Sequence, residues 1–147
     1  MQKILKSLLL LLLVTNTLWA QKSEVYIAGG KAINGYDAVA YFTEGKPVEG
    51  TSKFVYTWNG SNWFFSSDKN WQAFKTNPQN YAPQYGGYCA YGMSEGYKAP
   101  TDPQAWTMVD GKLYLNYNKE VQKLWMRSQT RHINTADKNW PKLKNSK

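Results

Sequence analysis

The chain contains a single cysteine, Cys89, and the loop around it has the residue types best suited to chemistry. A thiol is a soft metal ligand and a redox group, although a free cysteine is also among the most buried residue types. The paired glycines before it can adopt positive φ or let another backbone approach closely. We therefore predict that a glycine bend presents Cys89 in a partly open pocket, lined by Tyr85, Gly86, Gly87, Tyr88 and Tyr91.

Other soft or basic side chains could join Cys89 as metal ligands. Met93 is four residues away in the same loop, and His132 is the only histidine. Thioether and thiolate sulfur favour Cu(I) over hard cations. Met108 in a predicted strand and Met126 in a predicted helix fit core positions better than ligand positions. The alternative to a metal-ligand role for His132 is that of a surface or helix-capping histidine.

The N-terminus has the pattern of a secretory signal peptide, predicted for residues 1–20. Lys3 and Lys6 precede a leucine-rich run that is too short to span a bilayer, and Ala20 is the most plausible cleavage site. We therefore expect an exported protein, periplasmic or secreted, without stable membrane insertion after cleavage. Residues 21–34 are interpreted as a loosely ordered lead-in, and residues 35–147 as the domain.

Composition limits the function classes further. The full chain of 147 residues carries a net charge of +8, much of it near the C-terminus, which we interpret as a solvated helical face. One cysteine excludes an intramolecular disulfide, so the aromatic residues must supply the core of this small domain. The sequence contains no nucleic-acid motif, no paired carboxylates and no phosphate-binding loop. We predict no nucleic-acid partner and no organic cofactor, and an enzyme is the less favoured interpretation.

The elements that must position Cys89 form an apparent duplication. Each half has two strands around a tight turn, Asn59-Gly60 and then Asp110-Gly111, followed by a helix. Aligning the two turn glycines pairs Trp63 with Tyr114, Ser67 with Asn118 and Phe74 with Trp125. The long connection from Asn77 to Gln104 carries the cysteine loop, and connections of that length are usually functional or disordered.

The pattern predicts an α+β fold with two β-hairpin-plus-helix units bracketing the Gly/Tyr/Cys loop. A helical turn capped by Asp37 is predicted before the first hairpin. A further C-terminal helix is predicted within residues 133–140, closing before Pro141.

Several motifs together resemble those of exported bacterial YHS-domain proteins, a family similar to treble-clef or TRASH-like metal-binding modules. They span most of the chain from Gly35 to Trp140 and comprise Gly35-Tyr36-Asp37-Ala38-Val39-Ala40-Tyr41-Phe42, Phe64-Phe65-Ser66-Ser67, Pro83-Gln84-Tyr85-Gly86-Gly87-Tyr88-Cys89-Ala90 and Asp110-Gly111-Lys112-Leu113-Tyr114-Leu115-Asn116-Tyr117. The resemblance implies soft-metal or redox chemistry at Cys89. The chain departs from a closed zinc site, which needs about four Cys or His ligands.

Three functions therefore stay open at this point. The first is a soft-metal module, copper-like, with Cys89 as the main ligand and Met93 or His132 as partners. The second is a thiol redox protein that uses Cys89 with an external partner protein, since the chain has no resolving cysteine. The third is a non-catalytic module that binds a small ligand or a protein in a tyrosine-lined cleft. The oligomeric state does not follow from the sequence.

Overall fold

The computed structural model describes residues 23–146, so the predicted signal peptide lies outside the described residues. The fold is α+β, as predicted, and its strands form three two-stranded antiparallel hairpins. The strands are β1 (Ile27–Ala28), β2 (Lys31–Ala32), β3 (Thr51–Trp58), β4 (Ser61–Phe65), β5 (Trp106–Val109) and β6 (Lys112–Leu115).

Five α-helices and three short 3-10 turns complete the described chain. The helices are α1 (Ala40–Thr43), α2 (Asp68–Thr76), α3 (Ala90–Ser94), α4 (Lys119–Met126) and α5 (Gln129–Leu143). The 3-10 turns are at Ile33–Gly35, Pro78–Asn80 and Gln84–Gly87. The last of these turns precedes α3, so the long cysteine-bearing connection is ordered.

The predicted duplication is confirmed by the geometry of the two larger hairpins and the helices that follow them. Both turns have positive φ at both central residues, as a type I′ turn requires. Ser67 and Asn118 cap α2 and α4, each accepting a hydrogen bond from the backbone N–H three residues on.

The ring pairs that close the two units also correspond. In the first unit, Trp63 packs on Phe74 with ring centroids 5.1 Å apart and planes at 32°. In the second, Tyr114 packs on Trp125 at 5.3 Å and 37°. All four rings are buried, and each pair belongs to a different apolar cluster. The two ring pairs therefore lie in separate clusters, although Leu113 and Leu115 of β6 pack into the first one.

Asp37 organises the first unit. Its side chain is fully buried, and Oδ1 accepts from the backbone N–H groups of Val39 (2.9 Å) and Ala40 (3.1 Å), which starts α1. Oδ2 accepts from the N–H (2.9 Å) and hydroxyl (2.6 Å) of Ser66 and from Asn70 Nδ2 (2.8 Å). The predicted cap at Asp37 is confirmed, and the same carboxylate also fixes the end of β4 and the start of α2.

The expectation of a loosely ordered lead-in is wrong for residues 23–34. Val25, Ala32 and Ile33 are buried in the first core cluster. The backbone N–H of Tyr26 donates to the carbonyl of Gly86, and the backbone N–H of Ile33 donates to the carbonyl of Tyr26. The apolar residues of this short segment cover the core edge, which a local sequence pattern does not reveal.

The last helix is longer than predicted at both ends. It begins at Gln129 and continues to Leu143, with Pro141 inside its final turns. Proline removes one backbone donor, but Trp140 and Leu143 pack against the second core cluster. The packing of these two side chains favours continuation of the helix past the proline.

One expectation about a single side chain also changes. Met126, expected in the core, is 53% exposed at the end of α4. Within residues 23–146, no helix is long and apolar enough to cross a membrane.

Replacing Asp37 by alanine should lower the free energy of unfolding by about 3 kcal/mol or more, because it leaves several buried donors without an acceptor. The matched control is Glu44→Ala, an exposed acid next to α1, for which a change within about 0.5 kcal/mol is expected. Urea denaturation of both variants measures the difference. Similar midpoints for the two variants would contradict the organising role of Asp37.

Candidate functional site

Cys89 lies at the start of α3, and its sulfur is not in an open pocket. The residue is 1% exposed, so the prediction of a reachable thiol at a pocket mouth is wrong. Its side chain instead serves as the N-cap of α3, accepting from the backbone N–H of Gly92 at 3.4 Å. The cap requires the side chain to fold back over the first helical turn, and this places the sulfur inside.

A polar shell surrounds the buried sulfur. The thiol donates to Asn116 Oδ1 at 3.5 Å, and the same oxygen accepts from the backbone N–H of Tyr91 at 3.0 Å. Burial raises the pKa of Cys89, while the backbone N–H groups of Gly92, Tyr117 and Tyr91 act in the opposite direction. Because burial prevails, the thiol is protonated at neutral pH and is a slow nucleophile.

The two predicted partner ligands occupy the same half of the molecule. Met93 is fully buried in the second core cluster, one turn after Cys89 on α3. His132, expected on the surface or at a cap, is instead 4% exposed within α5. Its Nδ1 lies 2.8 Å from Ser94 Oγ, and its ring lies 5.0 Å from that of Tyr91.

The hydrogen bonds fix the tautomer of His132. Ser94 Oγ donates to the carbonyl of Tyr91 at 2.6 Å, so it must accept from Nδ1–H of the imidazole. Burial, followed by the charge of Arg131, lowers the pKa of His132, which keeps the ring neutral. Among residues 23–146, no group of three or more His, Cys, Asp or Glu side chains is arranged to hold a metal ion.

The glycine bend before Cys89 has the predicted positive φ, but it packs against the N-terminal segment and does not open a pocket at the sulfur. Gly86 and Gly87 have φ of 63° and 85°. A Cβ on Gly86 would collide with the carbonyl oxygen of Glu24, and one on Gly87 with the side chain of Ile33. The bend therefore docks the N-terminal segment against the loop, and Tyr88 adds a bond from its hydroxyl to the carbonyl of Ser23 at 2.8 Å.

The same bend forms one wall of a cleft of about 550 Å³, which we call the inter-unit cleft. It lies between the turn that joins β3 to β4, the loop ending at Gly86, and α5. Of the predicted pocket-lining residues, Tyr85 and Gly86 line this cleft, whereas Gly87, Tyr88, Tyr91 and Cys89 do not. The residues used below are Glu24, Trp58, Tyr85, Lys112, Asp137, Trp140 and Lys144.

Two carboxylates of the cleft are held in place by neighbouring side chains. Tyr85 donates its hydroxyl to Asp137 Oδ1 at 2.8 Å, and Asn59 donates Nδ2 to Glu24 Oε2 at 3.2 Å. Burial, and then the bond to Asp137, raise the pKa of Tyr85, so the phenol stays protonated as a donor. Each carboxylate keeps a second oxygen for a ligand, and Lys112 and Lys144 add cations to the same cleft.

Sequence reasoning missed Glu24, Asp137 and Trp140. Glu24 lies in the segment expected to be loosely ordered, and the other two lie on the underestimated helix. One signal was available in the spacing of Asp137, Trp140 and Lys144, which is three and then four residues and marks one face of a helix. Extending the predicted helix past Pro141 would have placed all three on that face.

The comparison with known families gives one match: residues 39–85 match the family model of the YHS domain. The predicted YHS domain is thereby confirmed for α1, the first large hairpin, α2 and the loop up to Tyr85. The matched stretch contains no cysteine, histidine or methionine and ends before Cys89. No curated protein and no solved structure matches the chain significantly.

The native thiol should react with Ellman's reagent at pH 7 at least about 100-fold more slowly than glutathione, because it is buried and protonated. The rate should rise as the pH increases toward the raised pKa, and full reactivity should appear in denaturant. Stopped-flow absorbance measures both. A native rate close to that of glutathione would show that the sulfur is accessible after all.

Proposed function

We propose, with the YHS domain at residues 39–85 as the starting point, that this chain is a non-catalytic binding module whose ligand occupies the inter-unit cleft. The supporting observation is the pair of positioned carboxylates, Glu24 and Asp137, in a concavity of ligand size. Small-molecule sites are usually preformed clefts of about 300–1,000 Å³ with a few placed polar groups. The cleft meets this description.

The lining indicates the chemical class of the ligand. Carboxylate oxygens accept hydrogen bonds, lysines donate them, and Trp58 and Trp140 are only partly buried. A ligand that both donates and accepts hydrogen bonds around its rim, and that has an apolar face to pack on an aromatic ring, fits all three features. A small saccharide has these properties, because each hydroxyl is both a donor and an acceptor. We therefore assign the cleft to a mono- or disaccharide.

Titration of the protein with a panel of mono- and disaccharides tests this assignment, with tryptophan fluorescence and NMR chemical shifts as readouts. Binding should shift signals of Trp58 and Trp140. Asp137→Asn should weaken it about tenfold or more, since a hydrogen bond to a charged group contributes about 1.5–3 kcal/mol. The control is Glu120→Gln, an exposed acid on α4 outside the cleft. No binding across the panel, or equal loss in both variants, would refute the assignment.

A second candidate function is soft-metal binding at Cys89, and the family supports it. YHS domains are associated with metal binding, copper in particular. The donor set suits only a soft ion, because Cys89 is a sulfur ligand and Met93 follows it by one helical turn. The backbone N–H groups around Cys89 would stabilise the thiolate that a metal requires.

Titration with Cu(I) under reducing conditions tests this second candidate. If the metal binds at Cys89, one equivalent is taken up, about one proton is released from the buried thiol, and Cys89→Ser abolishes uptake. Met93→Leu should weaken binding, whereas Met126→Leu, an exposed control, should not. Uptake that persists unchanged in Cys89→Ser would exclude Cys89 as the ligand.

A further inference from the structure

The duplication extends upstream of the hairpins and relates Cys89 to Asp37. Gly35-Tyr36-Asp37-Ala38 in the first unit corresponds to Gly87-Tyr88-Cys89-Ala90 in the second. Both glycines have positive φ, 77° and 85°, and each motif leads directly into a short helix, α1 or α3. The thiol of the second unit thus takes the position held by a buried carboxylate in the first.

The backbone donors around the two side chains also correspond. In the first unit, the N–H groups of Val39, Ala40 and Ser66 donate to the Asp37 carboxylate. In the second, the N–H of Gly92 donates to the Cys89 sulfur at 3.4 Å. The N–H groups of Tyr117 and Tyr91 also lower the pKa of Cys89, although that of Tyr91 donates to Asn116 Oδ1. These positions match one for one along the two helical turns and strand ends. A backbone that holds an anion in one unit therefore surrounds a neutral thiol in the other.

A buried amide beside the sulfur lacks the partner that an anion would supply. Asn116 is completely buried, its oxygen faces the Cys89 sulfur at 3.5 Å, and its Nδ2 has no hydrogen-bond partner. In the first unit a buried amide from a different position, Asn70 on α2, is satisfied, because its Nδ2 donates to Asp37 at 2.8 Å. An unsatisfied buried donor costs free energy, so this site favours an acceptor group at residue 89.

We propose that Cys89 is an oxidation site, and that its sulfinate is held in the second unit as the Asp37 carboxylate is held in the first. The sulfinate oxygens accept from the N–H groups of Tyr91 and Gly92. The Asn116 amide turns over, so that Nδ2 donates to the new anion. Oxidation then gives the Asn116 amide donor the acceptor that it lacks in the reduced protein, whereas oxidation of an ordinary core cysteine disrupts packing.

The chemistry needs only a peroxide. Hydrogen peroxide transfers one oxygen to the sulfur: an S–O bond forms, the O–O bond breaks, sulfur loses two electrons and water leaves. A second peroxide converts the sulfenic acid to sulfinic acid in the same way, and the product loses its proton to become the sulfinate. With no second cysteine in the chain, no intramolecular disulfide competes.

Tyr97 covers Gly92, which lies next to the sulfur. Its ring packs on Gly92, whose N–H donates to the sulfur, and the residue is 51% exposed. Burial, and then the nearby Cys89, raise the pKa of Tyr97. Removal of the ring should open the shortest route for a small oxidant.

The experiment treats the protein with excess hydrogen peroxide and follows mass and thermal melting. We expect the peptide containing Cys89 to gain two oxygen atoms and no more, faster in Tyr97→Ala, with a higher melting temperature than the reduced protein. Cys89→Ser treated identically corrects for methionine oxidation. Absence of the two-oxygen product in both the wild type and Tyr97→Ala, or a lower melting temperature of that product, would overturn the proposal.

A substitution series tests the same idea without oxidant. Cys89→Asp should melt above its neutral isostere Cys89→Asn, which reverses the usual order for a buried carboxylate. In an Asn116→Ala background this difference should shrink, because the amide donor is gone. An Asp variant that melts below the Asn variant in the wild-type background would contradict an anion site at residue 89.

Discussion

The fold depends on one buried anion. The Asp37 carboxylate is completely excluded from solvent and survives there because five donors satisfy its two oxygens. A charge without such partners would be too costly to bury, so the start of α1, the end of β4 and the start of α2 must meet at this point. The carboxylate thus specifies how the local elements of the first unit fit together, beyond the contribution of apolar packing.

The second unit repeats this arrangement with a different atom at its centre. Cys89 caps α3 as Asp37 caps α1, and a sulfur replaces the carboxylate oxygens. Beside this sulfur, Asn116 Nδ2 has no hydrogen-bond partner, and Ser61 Oγ and Trp125 Nε1 are also buried without one. The only thiol of the chain therefore has a structural role, as the cap of α3. The backbone around it has the arrangement that holds the negative charge of Asp37 in the first unit.

The inter-unit cleft, the proposed ligand site, lies on the other side of the glycine bend. Gly86 and Gly87 hold the N-terminal segment against the loop, and that contact brings Glu24 to the edge of the inter-unit cleft. Tyr85, two residues after Pro83, reaches α5 and fixes Asp137. Residues far apart in sequence thus supply a cleft with charges of both signs. The YHS match over residues 39–85 includes its hairpin and loop walls but not Glu24, Lys112 or the wall formed by α5.

The sequence by itself determined the elements that obey local rules. Turn chemistry at Asn59-Gly60 and Asp110-Gly111, capping by Asp37, and the spacing of the large rings predicted both units and their duplication. Only the tertiary structure decided where the sulfur faces, that His132 is buried, and that α5 continues past Pro141. These outcomes depend on contacts between segments that are distant in sequence, such as the packing of Trp140 against the second core cluster. Such contacts override the local backbone preference of a proline to end a helix. A local pattern records the residue types available for such contacts but not which of them meet.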